Sequence, residues 1–341
     1  MNHDFSDELD ELGKLGKLGE SEEKDFHRLL KKTKRKTMLR NVIISVICAV
    51  LVVLGLLIAN RVLLSRSLNA AYNDMYHYKQ ISDPNVNLGN IQSVDGIWSG
   101  TAEFQAYKII EGIPLPWSEK KIQYNVLNHF SLYNGGYSPL SVTDPKMVEQ
   151  GMNFARSYNM QNGQRELLFY HPAVQYTKML KEVTELGQID PKKRVELSIS
   201  FDRSYTSKEI RAMLPAGVHA RWFWVDTYSA DYVKYLGNVP YLPISGSNVF
   251  GYSAYADQED KFENNEEKFI AFIHAGLKLK GNYDFEYHQI FDKLRGSKAE
   301  PTKDDVHNIG VVVTGSPESL QALQTKSYVR AAVLGAIVDK Y

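Results

Sequence analysis

Between Asn41 and Asn60 the chain carries no charged side chain, and Val42 to Ala59 reads VIISVICAVLVVLGLLIA. Twenty helical residues rise about 30 Å, which matches the hydrocarbon core of a bilayer. Residues 41–60 are therefore expected to form a single transmembrane helix. The alternative is a buried helix in a soluble core; apolar residues on every face together with charges that stop abruptly at both ends favour the span. A cleaved signal peptide has an apolar region of about 7–15 residues followed by a small-residue site. Here the run is longer, Asn60-Arg61-Val62 follows it, and 40 residues precede it.

The flanks set the expected orientation. Arg28, Lys31, Lys32, Lys34, Arg35, Lys36 and Arg40 crowd the N-terminal side, against Arg61 and Arg66 on the other. The positive-inside rule then puts the N-terminus in the cytoplasm and the C-terminus outside the cell membrane. At this location the basic run meets anionic lipid headgroups rather than nucleic acid. Lys+Arg and Asp+Glu balance at 40 each, so no net field draws the chain to nucleic acid and no direct nucleic-acid partner is expected. The lone cysteine, Cys48, lies inside the apolar run, which rules out an intramolecular disulfide and a two-cysteine zinc site.

Four segments follow: 1–40 a cytoplasmic partner-binding tail, 41–60 the span, 61–82 a juxtamembrane helix or linker, and 83–341 an extracytoplasmic sensor domain. Residues 1–25 hold nine acidic groups, and the string DELDELGKLGKLGE spaces Leu9, Leu12, Leu15 and Leu18 three apart. Gly13, Gly16 and Gly19 each weaken an isolated helix by about 1 kcal/mol relative to Ala. The tail is either a disordered acidic segment or one that folds on a partner, with those leucines entering a groove.

Beyond the break at Asp83-Pro84 the pattern is α+β, a mixed α/β domain with two β-α-β-like units. Ile122, Tyr124 and Val126 alternate with polar residues, as do Val195, Leu197, Ile199 and Phe201 against Glu196, Ser198 and Ser200. Both runs read as half-buried strands. In the first unit, strand 194–201 leads to a capping box, Thr206-x-x-Glu209, a helix to about Met213, and strand 219–225. In the second, strand 309–314 leads to Ser316-Pro317, a good N-cap and first helical residue, then a helix to about Leu323. Residues 328–338 read as a strand, with helix the alternative. Each unit spans about 30 residues and closes on Val-Asp-x-Tyr, so either an internal repeat or two ordinary β-α-β units accounts for the pair. Asn265 to Lys278 reads as a helix with Phe269, Phe272, Ile273 and Leu277 on one face.

Catalytic signatures are missing: there is no GxSxG, HExxH, GxGxxG or GxxxxGK[ST]. Ser118-x-x-Lys121 matches SxxK without the KTG-like element that penicillin-binding proteins also need. The nine histidines, His129 and His171 among them, show no helical metal spacing. No catalytic residue, metal or cofactor is expected, and the protein is not expected to be an enzyme. The densest unusual feature is aromatic. Trp222, Trp224, Tyr228 and Tyr232 head a cluster between 222 and 255 that is either core or an exposed recognition surface.

The order of parts, with the strings VELSISFDRSYTSKEI, WFWVDTY, IGVVVTGSPESLQAL and LGAIVDKY, resembles the sigma factor regulator family, membrane-anchored anti-sigma factors of Gram-positive bacteria. The resemblance covers about Phe26 to Ala70 and about Arg194 to Tyr341. It implies an anti-sigma factor that sequesters an extracytoplasmic-function sigma factor at the membrane. On envelope stress, sensed by an unknown extracytoplasmic ligand or protein, it would release that factor in signal transduction. Many anti-sigma factors hold sigma with a zinc-bound His/Cys/Cys helix. This tail has His3 and His27 and no cysteine, which implies zinc-independent contact. The competing readings are a non-enzymatic membrane-anchored envelope scaffold and a membrane-tethered hydrolase.

Overall fold

The computed structural model describes residues 4–127, 140–255 and 265–340, with side chains from Phe26 onward except at Glu119 and Lys146. His3 and His129 lie outside the described residues. The chain divides into two contact units, Met1–Val62 and Leu63–Tyr341.

The first unit is helical. It belongs to α1 (Asp4–Ile81), and its apolar run is about half exposed on every side, from Val42 at 51% to Ile58 at 65%. An apolar surface that wraps the whole helix has no partner in water but matches lipid. Among the described residues this is the one helix long and apolar enough to cross a membrane.

The second unit opens with the last turns of α1. Residues 63–81 are core elements as well as a connection. Leu64, Ala71 and Met75 are buried together with Ala102, Phe104, Ile122 and Tyr124 of an antiparallel meander. The meander comprises β1 (Asn87–Asp95), β2 (Ser99–Ile110) and β3 (Ile113–Asn125). Strand period two puts Ala102, Phe104, Ala106, Lys108 and Ile110 on the buried face of β2. α1 stops at Ile81, and Asp83 and Asn85 then take left-handed backbone around Pro84.

The remaining elements are β4 (Leu140–Val142), α2 (Pro145–Glu149), β5 (Arg156–Tyr158), β6 (Leu168–Phe169), β7 (Arg194–Tyr205), α3 (Ser207–Met213), β8 (Val218–Val225), α4 (Ala230–Asn238), β9 (Ile244–Ser245), β10 (Gly251–Ser253), α5 (Asn265–Leu279), α6 (Asp284–Arg295), β11 (Asn308–Gly315), α7 (Pro317–Gln321) and β12 (Val329–Val338). A five-stranded sheet has the order β10-β8-β11-β7-β12, every pairing antiparallel. The strands of β7-α3-β8 are therefore parallel to each other with β11 inserted between them. Those of β11-α7-β12 are parallel with β7 between them. This interlocked pair of split β-α-β units has the ferredoxin-like connectivity. Residues 328–338 settle as strand.

The capping chemistry forms as the sequence implies. Glu209 N donates to Thr206 Oγ1 at 3.2 Å and Thr206 N donates to the Glu209 carboxylate at 2.7 Å. Ser319 N donates to Ser316 Oγ at 3.1 Å, with Pro317 first in the helix.

One strand differs from expectation. β7 is not half-buried: Glu196, Ser198 and Ser200 are as enclosed as the apolar residues between them. Segment 167–170 covers that face. Ser198 Oγ donates to Leu168 O at 2.7 Å, and Tyr170 N donates to Ser200 Oγ at 2.9 Å. Polar alternation here marks a buried face whose hydroxyls are satisfied by backbone, not a wet one.

Candidate functional site

The tail leucines lie on α1. At 100° per residue, a three-residue step turns back by about 60°, so positions 9 to 18 wind around half the helix instead of stacking in one line. The aromatic cluster is core. Trp222, Trp224 and Tyr228 are buried with Leu167, Phe169, Val249 and Val312 behind the five-stranded sheet, and Tyr232 is half-buried against them. Trp224 Nε1 donates to Tyr228 Oη at 3.2 Å, and Tyr228 Oη donates to Asn248 O at 3.2 Å. The recognition-surface reading is thus corrected for the three buried rings, and the polar atoms of Trp224 and Tyr228 are used inside the protein. Ser118 and Lys121 sit on β3 and are engaged with other residues: Asn159 donates to Ser118 Oγ, and Lys121 donates to Glu103 at 2.6 Å. His171 is buried and its Nε2 stands 3.4 Å from Asp226.

The structure instead brings together a chain of polar links that joins the end of α1 to both sheets. Tyr78 stacks on Tyr283 with ring centroids 3.6 Å apart, and Asn282 N donates to the Asp74 carboxylate at 2.8 Å. Asp83 accepts from Lys79 and, at 2.6 Å, from Lys120 of β3. Burial alone would raise the Asp83 carboxyl; the two ammonium groups outweigh it and hold the group well below the usual carboxylate range. Burial pulls the Lys79 ammonium down against the attraction of Asp83. Beyond them, Asn85 and Lys108 donate to the two oxygens of Glu196 at 2.7 and 2.8 Å, linking β2 to β7.

A third link lies at the β2–β3 turn. Ile110 pairs with Ile113 across Glu111-Gly112, both with positive φ, as a tight hairpin requires. The Glu111 carboxylate accepts from Arg221 at 2.6 Å and Thr314 at 2.6 Å, and pairs with His219 at 2.9 Å. These partners come from β8 and β11. Burial raises the Glu111 carboxyl less than these hydrogen bonds lower it.

At the edge of the large sheet, side chains cap the outer edge of β12. Leu334 N donates to Glu182 at 2.6 Å and Ile337 N to Gln164 at 2.8 Å, while Arg165 pairs with Glu182 at 3.1 Å. Such capping blocks strand addition at an open edge. A cleft of about 520 Å³ opens beside it, lined in part by Arg165, Glu185, Asp190 and Lys193. Among the described residues no cluster of three or more His, Cys, Asp or Glu is placed to hold a metal.

Comparison with known families places these features. The sigma factor regulator N-terminal domain matches residues 27–114, and the sigma factor regulator C-terminal domain matches residues 186–336. The two stretches take in over two thirds of the chain, and the protein belongs to the sigma factor regulator family. The family is regulatory and non-enzymatic, its domains support an anti-sigma factor role, and it implies a sigma factor as partner. The N-terminal match runs beyond α1 through β1 and β2, so two strands of the meander travel with the helix. No curated protein and no solved structure matches the chain at a significant level.

Proposed function

We propose that the protein is a membrane-anchored anti-sigma factor for an extracytoplasmic-function sigma factor, held with its N-terminus in the cytoplasm. Residues 1–40 bind the sigma factor, with Leu9, Leu12, Leu15 and Leu18 as apolar contacts, and keep it from RNA polymerase. The unit beyond the span senses envelope stress. The observation that carries the reading is the composition of α1: one helix includes the acidic leucine tail, the basic flank, the apolar run and the buried turn residues Leu64 to Ile81. A ligand that favours one arrangement of the outer unit then changes sigma affinity by the same factor with which sigma changes ligand affinity. Nothing in the reading requires zinc, in keeping with a tail that has His27 and no cysteine.

Affinity isolation of the full-length chain from detergent-solubilised membranes tests it. A sigma factor is the expected companion, lost when residues 1–25 are removed. Recovery of cell-wall or secretion proteins without a sigma factor would replace this reading with that of an envelope scaffold. On intact protoplasts, protease should reach residue 250 and not residue 10.

A further inference from the structure

β2 has two ends with opposite fates. At one, the Glu111-Gly112 turn is tied to β8 and β11 through Arg221 and Thr314. At the other, Gly96 N donates to Ser99 O at 2.7 Å and closes the β1–β2 hairpin around Ile97 and Trp98. Twelve residues of antiparallel strand separate these ends by about 40 Å. Val126 N donates to Trp98 O, which brings the end of β3 alongside the hairpin. Four large apolar side chains are thus exposed at one sheet end: Val94 at 76%, Ile97 at 70%, Trp98 at 64% and Leu127 at 92%. Tight hairpin turns favour Gly, Asn and Asp, so turn chemistry gives no reason for Ile-Trp. The acidic group here, Asp95, is engaged by the Tyr124 hydroxyl.

The strand direction says what this end faces. Tyr72 stacks on Phe104, and Asn85 and Lys108 both reach Glu196, so α1 and β2 run in the same sense. Counting back from Tyr72, Leu64 lies about 12 Å along the helix. Counting back from Phe104, Trp98 lies about 20 Å along the strand. The hairpin therefore reaches past Leu64 in the direction from which the helix enters the unit. Only three residues of sequence separate Leu64 from Asn60, the end of the apolar run.

We propose that Val94, Ile97, Trp98 and Leu127 form a lipid-docking tip that rests in the headgroup layer of the membrane in which the chain is anchored. The proposal rests on the reading of 41–60 as a transmembrane helix. Tryptophan with aliphatic neighbours is the composition favoured at the boundary of headgroups and acyl chains, where an amphipathic ring keeps its N–H wet. Bilayer is the occupant rather than a second copy of the chain because the tip lies at the end of the unit where Leu64 packs, and Leu64 follows the apolar run by only four positions in the sequence. The acidic group of the tip, Asp95, is already taken up by Tyr124 within the unit. Docking fixes the height of the unit above the membrane at a second point besides the helix.

The test uses the full chain reconstituted into phosphatidylcholine–phosphatidylglycerol vesicles whose acyl chains are brominated near the headgroup. Trp117, Trp222 and Trp224 are buried, so Trp98 supplies the emission that bromine can quench. The expected result is quenching by brominated lipid that is lost in Trp98→Phe, with little access of acrylamide to Trp98. In Val94→Ser/Ile97→Ser/Leu127→Ser, Trp98 stays and its lipid quenching falls to the Trp98→Phe level. The thermal transition should be unchanged, because all three side chains are already exposed. Full acrylamide access without lipid quenching overturns the proposal. Shielding from both quenchers that grows with protein-to-lipid ratio overturns it too, in favour of a second copy. Failure of the chain to float with vesicles at all overturns the anchor reading and the tip together, whereas flotation without quenching overturns the tip alone.

Discussion

Lys108 of β2 donates a 2.8 Å hydrogen bond to Glu196 of β7, and neither side chain reaches solvent. The ammonium also lies 4.0 Å from the centre of the Trp117 ring. A charge pair this enclosed adds little net stability over an apolar pair of the same shape, yet removing one partner strands the other. Lys108→Met is expected to destabilise the unit by ~3–5 kcal/mol. Adding Glu196→Gln should restore part of that loss. Thermal unfolding of both single variants and of the double measures this; a double loss equal to the sum of the two single losses would mean that the pair is not coupled.

Acid should loosen the junction where α1 ends. Asp83 is held below its ordinary value by Lys79 and Lys120, so the folded state binds its proton more weakly than the unfolded chain does. Its stabilisation is present above the unfolded value of about 3.9 and is lost as pH falls through and below it. Urea midpoints between pH 6 and pH 3 should fall for the native chain and fall less for Asp83→Asn. Asparagine keeps the tolerance for left-handed backbone that position 83 needs.

One chemical change should act with opposite signs at two glycines. A Cβ at Gly112 or at Gly237 meets nothing within 4 Å, so packing is silent at both. Gly112 has φ +82°, and Gly112→Ala is expected to cost about 1–2 kcal/mol in backbone strain. Gly237 is inside α4, and Gly237→Ala should stabilise by ~0.5–1 kcal/mol. Chemical denaturation of the two variants in parallel checks the pair of signs.

The proposed sigma contact is open to a reporter assay. Replacing Leu9, Leu12 and Leu15 by Ala removes apolar contacts of about 1–3 kcal/mol each. If these add, binding weakens by roughly a hundredfold or more. Sigma-dependent transcription should rise while the protein stays in the membrane. Charge reversal at Lys31, Lys32 and Arg35 should leave transcription low. The opposite pattern would move the contact to the basic stretch, and silence in both sets at normal protein abundance would favour the scaffold.

Local patterns carried much of the fold. The Thr206–Glu209 box, the Ser316-Pro317 start and the apolar run are written in neighbouring residues, and each forms in place. The meander was legible only at Ile122, Tyr124 and Val126. β2 buries small Ala102 and Ala106 and a charged Lys108, and β1 buries almost nothing, so neither shows the contrast that a period-two search needs. The insertion of β11 between β7 and β8 depends on pairings about a hundred residues apart, which no local signal encodes. The aromatic cluster misleads for a related reason. Trp222 and Trp224 look like a binding surface until segment 167–169, some 55 residues earlier, is known to cover them. Likewise Glu111, Lys108 and Asp83 become a set of links only once distant strands meet.

Where α1 ends has a consequence for the order of synthesis. Asp74 waits for Asn282, and Tyr78 waits for Tyr283, more than 200 residues later in the chain. β7 lacks one flanking strand until β12, Val329–Val338, has emerged. The helix turns that leave the apolar run are thus made first and enclosed last. Contacts of such long sequence separation close slowly. A nascent chain stalled before residue 280 would carry an uncovered Tyr78 and an unfinished core, leaving it open to proteases and chaperones until the final strand arrives.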